Sequence, residues 1–286
     1  MSSSIQPQSP PLLSVVIPAL NEEASIVRAL DRLAVQEAID EIIVVDNGST
    51  DATRRIVGDY LLDRPKVILI EEPTQGVAFA RSLGFDKARG DFIARTDADT
   101  LAEPDWGDVI RTHLTEHPDT AALTGITTYH DSPVGALLRI GFWIQMRRGK
   151  LGGRVGNLQG VNMAIRRSAW LEIRTDTTAR TDVVEDLDLA LCLTKNGHRI
   201  DQLTQMRNTT SSRRRGTSPR AWWRFQLCGL RTIEAHGYRV LPIHRAFIVG
   251  AWLGHTVQWP IYRFWNFERC RFTLRPAPAR ISAIGD

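Results

Sequence analysis

The chain has 286 residues and 43% hydrophobic content, which suits one large domain with an appendage and a core able to position reacting groups. Its 36 basic and 32 acidic residues leave a net charge of +4, which admits an anionic partner but is too small an excess to argue for nucleic acid. Three widely spaced cysteines, Cys192, Cys228 and Cys270, fit neither a disulfide framework nor a zinc motif and point to a reducing compartment.

The opening "MSSSIQPQSP" has neither a basic n-region nor an apolar h-region. Residues 1–11 are therefore expected to be a disordered lead-in. "LLSVVIP" follows, a β-branched run ended by Pro18 and the mark of a buried strand. "NEEASIVRALDRLA" sets Ile26, Ala29, Leu30 and Leu33 at helical spacing, with Asn21 as the expected N-cap and Glu22 and Glu23 in the first turn. The pattern repeats through strand "EIIVVD", turn "NGST", helix "DATRRIVGDYL", strand "KVILIEE", helix "GVAFARSLGFDKA" and strand "DFIART". Alternation of this kind from Leu12 to Thr96 predicts right-handed βαβ units and a Rossmann-like, mostly parallel sheet.

In such sheets the ligand site lies at the carboxyl ends of the strands. Asp46, Asp97 and Asp99 all fall at strand ends, and all are expected to face one crevice. Neither a G-x-G-x-x-G nor a G-x-x-x-x-G-K-[ST] loop follows the first strand, where "IPALNEE" stands instead. Phosphates must then be held otherwise, and Mg²⁺ or Mn²⁺ chelated by Asp97 and Asp99 would serve. The plainer reading of D-x-D, a solvated acidic loop, stays open on these residues alone. Asp46 also has a plain reading, as a cap on the "NGST" turn, and Arg81 another, as a partner of Glu71 or Glu72.

Further on, "GNLQGVNMAIRRSAW" predicts a glycine-flexible loop running into a strand. "RTDVVEDLDLALCLTKNGH" predicts a helix that starts at Glu185 and Asp186, carries Leu187, Ala190 and Leu191 as its apolar stripe, and stops at Asn196-Gly197. A helix N-terminus favours an ionised carboxylate there, although neighbouring acids oppose it. The seven histidines, His130 and His198 among them, show no ligand spacing.

After Gly197 the composition changes. "MRNTTSSRRRGTSPRAWWRFQ" interleaves Arg207, Arg213, Arg214, Arg215, Arg220 and Arg224 with Trp222, Trp223 and Phe225. "AFIVGAWLGHTVQWPIY" then runs from Ala246 to Tyr262 without a formal charge, too short and too polar to span a bilayer comfortably. Trp252, Trp259 and Trp265 with flanking arginines predict an interfacial helix, with a plain buried helix as the alternative.

"SVVIPALNEE", "EIIVVDNGSTDAT", "GVAFARSLGFDKARGDFIARTDADT", "GVNMAIRRSAW" and "VVEDLDLALCL" stand in an order and spacing that resembles the family 2 glycosyltransferases of GT-A fold, from Leu12 to Gly197. The resemblance implies an α/β fold over residues 12–204, a mostly parallel GT-A sheet flanked by helices, with residues 205–286 as a helical, basic and aromatic accessory region. It implies a nucleotide-sugar donor, a UDP-sugar foremost, with Asp46 at the base, Pro18 and Glu22 bordering the nucleoside, and Arg81 at the base or phosphates. Asp97 and Asp99 would hold Mg²⁺ or Mn²⁺, Asp99 more directly. Gly160 and Asn162 match the acceptor-side segment. Asp186 matches the base of an inverting transfer, with Glu185 orienting it or binding acceptor, and Arg213 or Arg214 would close on the diphosphate. Two departures stand out: Asn47 replaces the second Asp of "D-D-G-S", and Ser82 replaces the Asn that follows the arginine.

The expected activity is metal-dependent transfer of a sugar to a hydroxyl acceptor, a saccharide or a lipid-linked cell-envelope precursor. The expected location is the cytoplasm, with peripheral contact to the inner face of the membrane. A nucleotidyltransferase is the first alternative, but it calls for a Gly-rich, basic loop after the first strand. A non-catalytic sugar- or membrane-binding protein is the second, and intact Asp97, Asp99 and Asp186 argue against it.

Overall fold

A computed structural model describes residues 10–178 and 180–276. Most of the expected lead-in, residues 1–9, lies outside that range.

The first third folds in the predicted alternation. β1 (Leu13–Ala19), α1 (Ile26–Ala34), β2 (Glu41–Asp46), α2 (Thr53–Tyr60), β3 (Val67–Glu71), α3 (Val77–Lys87) and β4 (Phe92–Thr96) follow one another, and the four strands pair in parallel in the order β3-β2-β1-β4. Period-two geometry divides their apolar runs between two cores. Val15, Ile17, Ile42 and Val44 pack on one side of the sheet with Ile26, Leu30 and Leu33 of α1. Val16, Ile43 and Val45 pack on the other with Ala80 and Phe85 of α3. Burial on both faces is why these strands read as unbroken hydrophobic runs.

The remainder comprises β5 (Leu101–Ala102), α4 (Trp106–Glu116), β6 (Thr120–Tyr129), α5 (Gly135–Arg147), β7 (Gly153–Val155), β8 (Asn162–Arg166), α6 (Arg167–Ile173), α7 (Glu185–Lys195), β9 (Arg199–Thr210), α8 (Pro219–Ala235), α9 (Pro242–Arg263), β10 (Trp265–Asn266) and β11 (Arg271–Phe272). β8 runs antiparallel between β4 and β6, β9 lies parallel to β6, and β5 and β7 are antiparallel to β9. The large sheet is therefore mixed, not mostly parallel. The stretch whose βαβ alternation is legible supplies three of its parallel pairs, and β6 with β9 supplies another.

Three local expectations need correction. Asn21 does not cap α1, which starts at Ile26. It adopts a left-handed backbone (φ 55°) and accepts the N–H of Thr50 at 2.8 Å. The buried face of α7 is Glu185, Asp188, Leu189, Ala190, Cys192 and Leu193, so its stripe includes two acids and lies beside the predicted one. The indoles of α9 turn inward: Trp252 donates to the Pro219 carbonyl at 2.9 Å and Trp259 to the Gly216 carbonyl at 3.2 Å. They are packing residues.

β9 runs through the boundary expected between residues 204 and 205, so the sheet extends into what was expected to be the accessory region. α8 starts with Ser218 as N-cap and Pro219 at N1, and it docks on α7: Val184 N–H donates to Thr232 Oγ1 at 2.8 Å, and His236 Nε2 meets Asp188 Oδ1 at 2.8 Å.

Candidate functional site

The carboxyl ends of β2 and β4 present Asp46, Asp97 and Asp99 along one edge of the parallel strands. Asp46 is buried. Its Oδ2 accepts the Ser49 N–H at 3.3 Å, so the turn-capping role holds, while its Oδ1 finds no partner among the described residues. A buried carboxylate oxygen left unpaired at a sheet edge is costly unless a ligand meets it. Pro18 lies beside it, paired in register with Val45. Asn47, one of the two departures, donates to the carbonyls of Glu72 and Thr74 at 2.9 and 2.8 Å and accepts the Gly76 N–H at 2.8 Å. It fastens the β3–α3 loop.

The second feature is a guanidinium between two acids. Arg213 Nη2 donates to Glu22 Oε2 and to Asp99 Oδ2, each at 2.7 Å, and Asp99 Oδ1 also accepts the Thr210 hydroxyl at 3.1 Å. Burial opposes the charge on Arg213, but Asp99 and Glu22 outweigh it and raise its pKa. The short turn carrying Arg213 is pinned from behind, where Asp131 Oδ1 accepts the backbone N–H of Ser212 at 2.6 Å and its hydroxyl at 2.8 Å.

A hard divalent cation suits this donor set. Carboxylates of Asp97 and Asp99 end one strand, and the guanidinium already bound by Glu22 and Asp99 marks the place as one built for positive charge.

The third feature lies at the start of α7. Glu185 is buried between two arginines. Arg81 Nη1 donates to its carbonyl at 2.9 Å and to Oε2 at 3.3 Å, and Arg95 Nη1 donates to Oε1. Arg95 Nη2 reaches on to Asp97 Oδ1 at 3.0 Å, so one guanidinium joins the D-x-D motif to the start of α7. Burial would raise the Glu185 carboxyl, but Arg95 and then Arg81 outweigh it and hold the group below its usual range. Arg81 itself is lowered by its own burial, though a guanidinium stays charged.

Asp186 is half-buried and contrasts with its neighbour. It accepts the N–H of Gly160 at 3.1 Å and of Leu187 at 2.9 Å, yet burial first and the Glu185 charge second push its carboxyl above the usual range. Two adjacent carboxylates with opposite shifts are the pattern of one ion-paired support and one proton acceptor. Gly160 fits closely: a Cβ there would overlap Arg95 Nη1 and lie 2.8 Å from Glu185 Oε1.

The geometry thus brings together Glu22, Asp99 and Arg213 in one cluster, and Arg81, Asp97, Gly160, Glu185 and Asp186 in another, with Asp46 further along the edge. Arg214 lies over the Phe225 ring at 5.0 Å, and its charge also lowers the Glu185 carboxyl. Asn162 stands apart. It is fully buried, its amide donates to the carbonyls of Ile126 and Met206 at 3.1 Å each, and its Oδ1 accepts from Trp106 Nε1 at 2.8 Å. Its polar atoms serve the sheet.

Arg95 and Asp131 were not singled out from sequence. An arginine inside the apolar run "DFIART" was the available signal, because a charge on a buried strand requires partners. Asp188, Cys192 and His236 also bring possible ligand atoms within 4.8 Å of one another. Both Asp188 oxygens there accept or share hydrogen bonds, from Thr178 N–H at 2.9 Å and with His236, and burial pushes the Cys192 thiol up to about 12. The trio ties α7 to the end of α8.

The family model described as Glycosyl transferase family 2 matches residues 14–173. A chondroitin synthase of Pasteurella multocida (strain Pm70) is 30% identical over 143 residues, 49% of this chain and 15% of that protein. A chondroitin synthase of Escherichia coli is 35% identical over 96 residues, 33% of this chain and 14% of that protein. Against these relatives the chain covers about a seventh of their length. Among solved structures, S. aureus TarS 1-349 superposes with a TM-score of 0.59 at 18% identity, covering 87% of this chain and 72% of that one. The mannosyltransferase PcManGT from Pyrobaculum calidifontis, solved with GDP-Man and Mn2+, superposes with a TM-score of 0.59 at 20% identity, covering 90% and 75%. These likenesses establish the shared fold.

Proposed function

The chain belongs to glycosyl transferase family 2, and from that premise we propose that it moves a sugar, with inversion, from a nucleotide-sugar donor to a hydroxyl acceptor. The observation that carries the reading is the start of α7, where Glu185 is clasped by Arg81 and Arg95 while the adjacent Asp186 accepts the backbone N–H groups of Gly160 and Leu187, one guanidinium away from the D-x-D motif. Asp186 takes the acceptor proton as the hydroxyl oxygen attacks the anomeric carbon and the bond to the donor phosphate breaks. Glu185 does not titrate with it. Held by Arg81 and Arg95, it orients the base and keeps Gly160 against it.

On the donor side, Asp46 receives the base through its unpaired oxygen, with Pro18 and Glu22 bordering the nucleoside and Arg81 supporting from behind. Asp99 and Asp97 would hold Mg²⁺ or Mn²⁺, which neutralises the diphosphate as charge develops on the leaving group. Arg213 and Arg214 turn to the same phosphates, guanidinium being suited to bidentate contact. Gly160 and the neighbouring segment line the acceptor side, and Asn162 supports it through the sheet.

A UDP-sugar is the proposed donor, supported by a TarS 1-349 structure in complex with UDP-GlcNAc, although the GDP-Man of the mannosyltransferase keeps the guanosine class in the test. The proposed acceptor is a saccharide or lipid-linked hydroxyl on the cytoplasmic face of a membrane, contacted peripherally. The test is a thermal-shift panel of UDP- and GDP-sugars with Mn²⁺ and with EDTA, followed by the anomeric configuration of any product. A metal-dependent shift with one donor and an inverted product is expected. A retained configuration overturns the assignment of Asp186.

A further inference from the structure

Two helices carry their polarity the wrong way round for a solvated surface. In α9 the inward positions hold Trp252, His255 and Trp259, each hydrogen-bonded to a backbone carbonyl of the Gly216–Pro219 segment. The outward positions hold Ile243, Phe247, Leu253 and Val257, with Phe247 74% and Val257 78% exposed. No charge interrupts that face between Arg245 and Arg263. α5 repeats the arrangement. Leu138, Phe142 and Met146 turn toward the protein, while Leu137, Ile140, Trp143 and Ile144 are exposed beside Arg139 and Arg147. The segment entering α5 is tied to the end of α9, where Ser132 shares a 2.8 Å hydrogen bond with Tyr262 and Trp265, just past α9, donates to the Asp131 carbonyl at 2.7 Å.

Charge decides what covers these faces. No Asp or Glu occurs between Asp131 and Glu172, and from Arg207 to Arg275 the only acids are Glu234 and Glu268 among thirteen arginines. A second copy would set the same basic flanks against one another, whereas an anionic headgroup layer complements them. None of the described helices is long and apolar enough to cross a membrane, so the helices would lie in the interface plane.

We infer that α5 and α9 together form a platform that rests on an anionic bilayer, with their aliphatic side chains at the acyl boundary and the flanking arginines among the headgroups. The inference deepens the peripheral contact proposed above and does not depend on the transfer chemistry. It assigns the contact to the aliphatic faces, not to the tryptophans. It also brings the bilayer to Asp131, which holds the turn bearing Arg213, so a lipid-linked acceptor would arrive on the phosphate side of the crevice.

The test is flotation of the full chain with phosphatidylcholine vesicles, with and without phosphatidylglycerol, comparing wild type, Val257→Glu on α9 and Ile140→Glu with Ile144→Glu on α5. Wild type should float only with the anionic vesicles, and each variant should lose roughly tenfold or more of its binding. Urea midpoints and metal-dependent donor binding, measured on the same samples, should stay at wild-type values because the substituted side chains are exposed. Wild type that floats with neither vesicle, or variants that float as wild type does, would overturn the platform. So would a wild-type dimer that Val257→Glu dissolves, because the face would then belong to a second copy. Flotation without any donor binding would leave the platform standing and remove the transfer reading.

Discussion

Arg213 Nη2 lies 2.7 Å from Asp99 Oδ2, and the same nitrogen lies 2.7 Å from Glu22, so the guanidinium occupies the carboxylate that the D-x-D motif would offer a cation. A metal held by Asp99 would therefore compete with Arg213 for one oxygen until a diphosphate engaged both.

Rivalry gives the first prediction. Arg213→Gln should bind Mn²⁺ alone more tightly than wild type, since a competing cation is removed from Asp99 Oδ2. It should bind Mn²⁺ with the donor nucleotide about tenfold or more weakly, as expected for a lost charge-assisted phosphate contact. Calorimetric titration of Mn²⁺ with and without nucleotide measures both, and parallel weakening of the two would contradict the rivalry.

Asp99→Ala should remove most metal-dependent nucleotide-sugar binding, because the diphosphate would then meet Asp97 and Glu22 without a neutralising ion. EDTA should do the same to wild type. Thermal shift with the preferred donor is the readout, and binding unchanged in EDTA speaks against a metal role.

Asp186→Asn should keep donor affinity and lower transfer by roughly 10²–10⁴, the usual worth of a general base. Its pH behaviour follows from the raised carboxyl. Ionising Asp186 is harder in the folded chain than in the unfolded one, so its protonated form contributes stability at acid pH that is lost as pH rises through the folded value. Relative to wild type, the Asn variant should therefore gain stability as pH goes from about 4 toward neutrality. Wild-type transfer should fall on the acid side at a pH above the ordinary carboxylate range. Urea midpoints across pH and the acid limb of the rate profile test the two halves separately.

Glu185→Gln should destabilise by about 3–5 kcal/mol, because it leaves Arg81 and Arg95 buried beside a neutral amide. Gly160→Ala should also destabilise, by about 1–3 kcal/mol, since its methyl group must displace Arg95 or Glu185. Denaturant unfolding of both variants is the measurement. An unaltered midpoint for Glu185→Gln would remove the buried triad from the account.

The parts legible from sequence are those governed by local patterning. Continuous apolar runs marked β1, β2 and β4, helical spacing marked Ile26, Ala29, Leu30 and Leu33 as the core face of α1, and strand ends put Asp46, Asp97 and Asp99 along one edge of the parallel strands. What was not legible depends on contacts far apart in the chain. Arg81 and Glu185 are 104 residues apart, and Arg213 and Glu22 are 191 apart, so no local rule could choose Glu185 over Glu71 as the partner of Arg81. Trp252 and Trp259 misled for a related reason: composition suggested an interfacial belt, while the carbonyls of the turn before α8 supplied buried acceptors. β8 lies between β4 and β6 and runs opposite to both, a reversal that alternation of strands and helices does not reveal.

Asn47 bears on how this chain can be stabilised by engineering. Its side chain gives two protons to carbonyls and takes one from an amide, a combination open to a carboxamide and closed to a carboxylate. Restoring the aspartate that family resemblance favours would turn two donors into repelling lone pairs. At this position a substitution chosen by majority vote among relatives would loosen the loop that starts α3, so the chain's own deviation is the better template for a more robust variant.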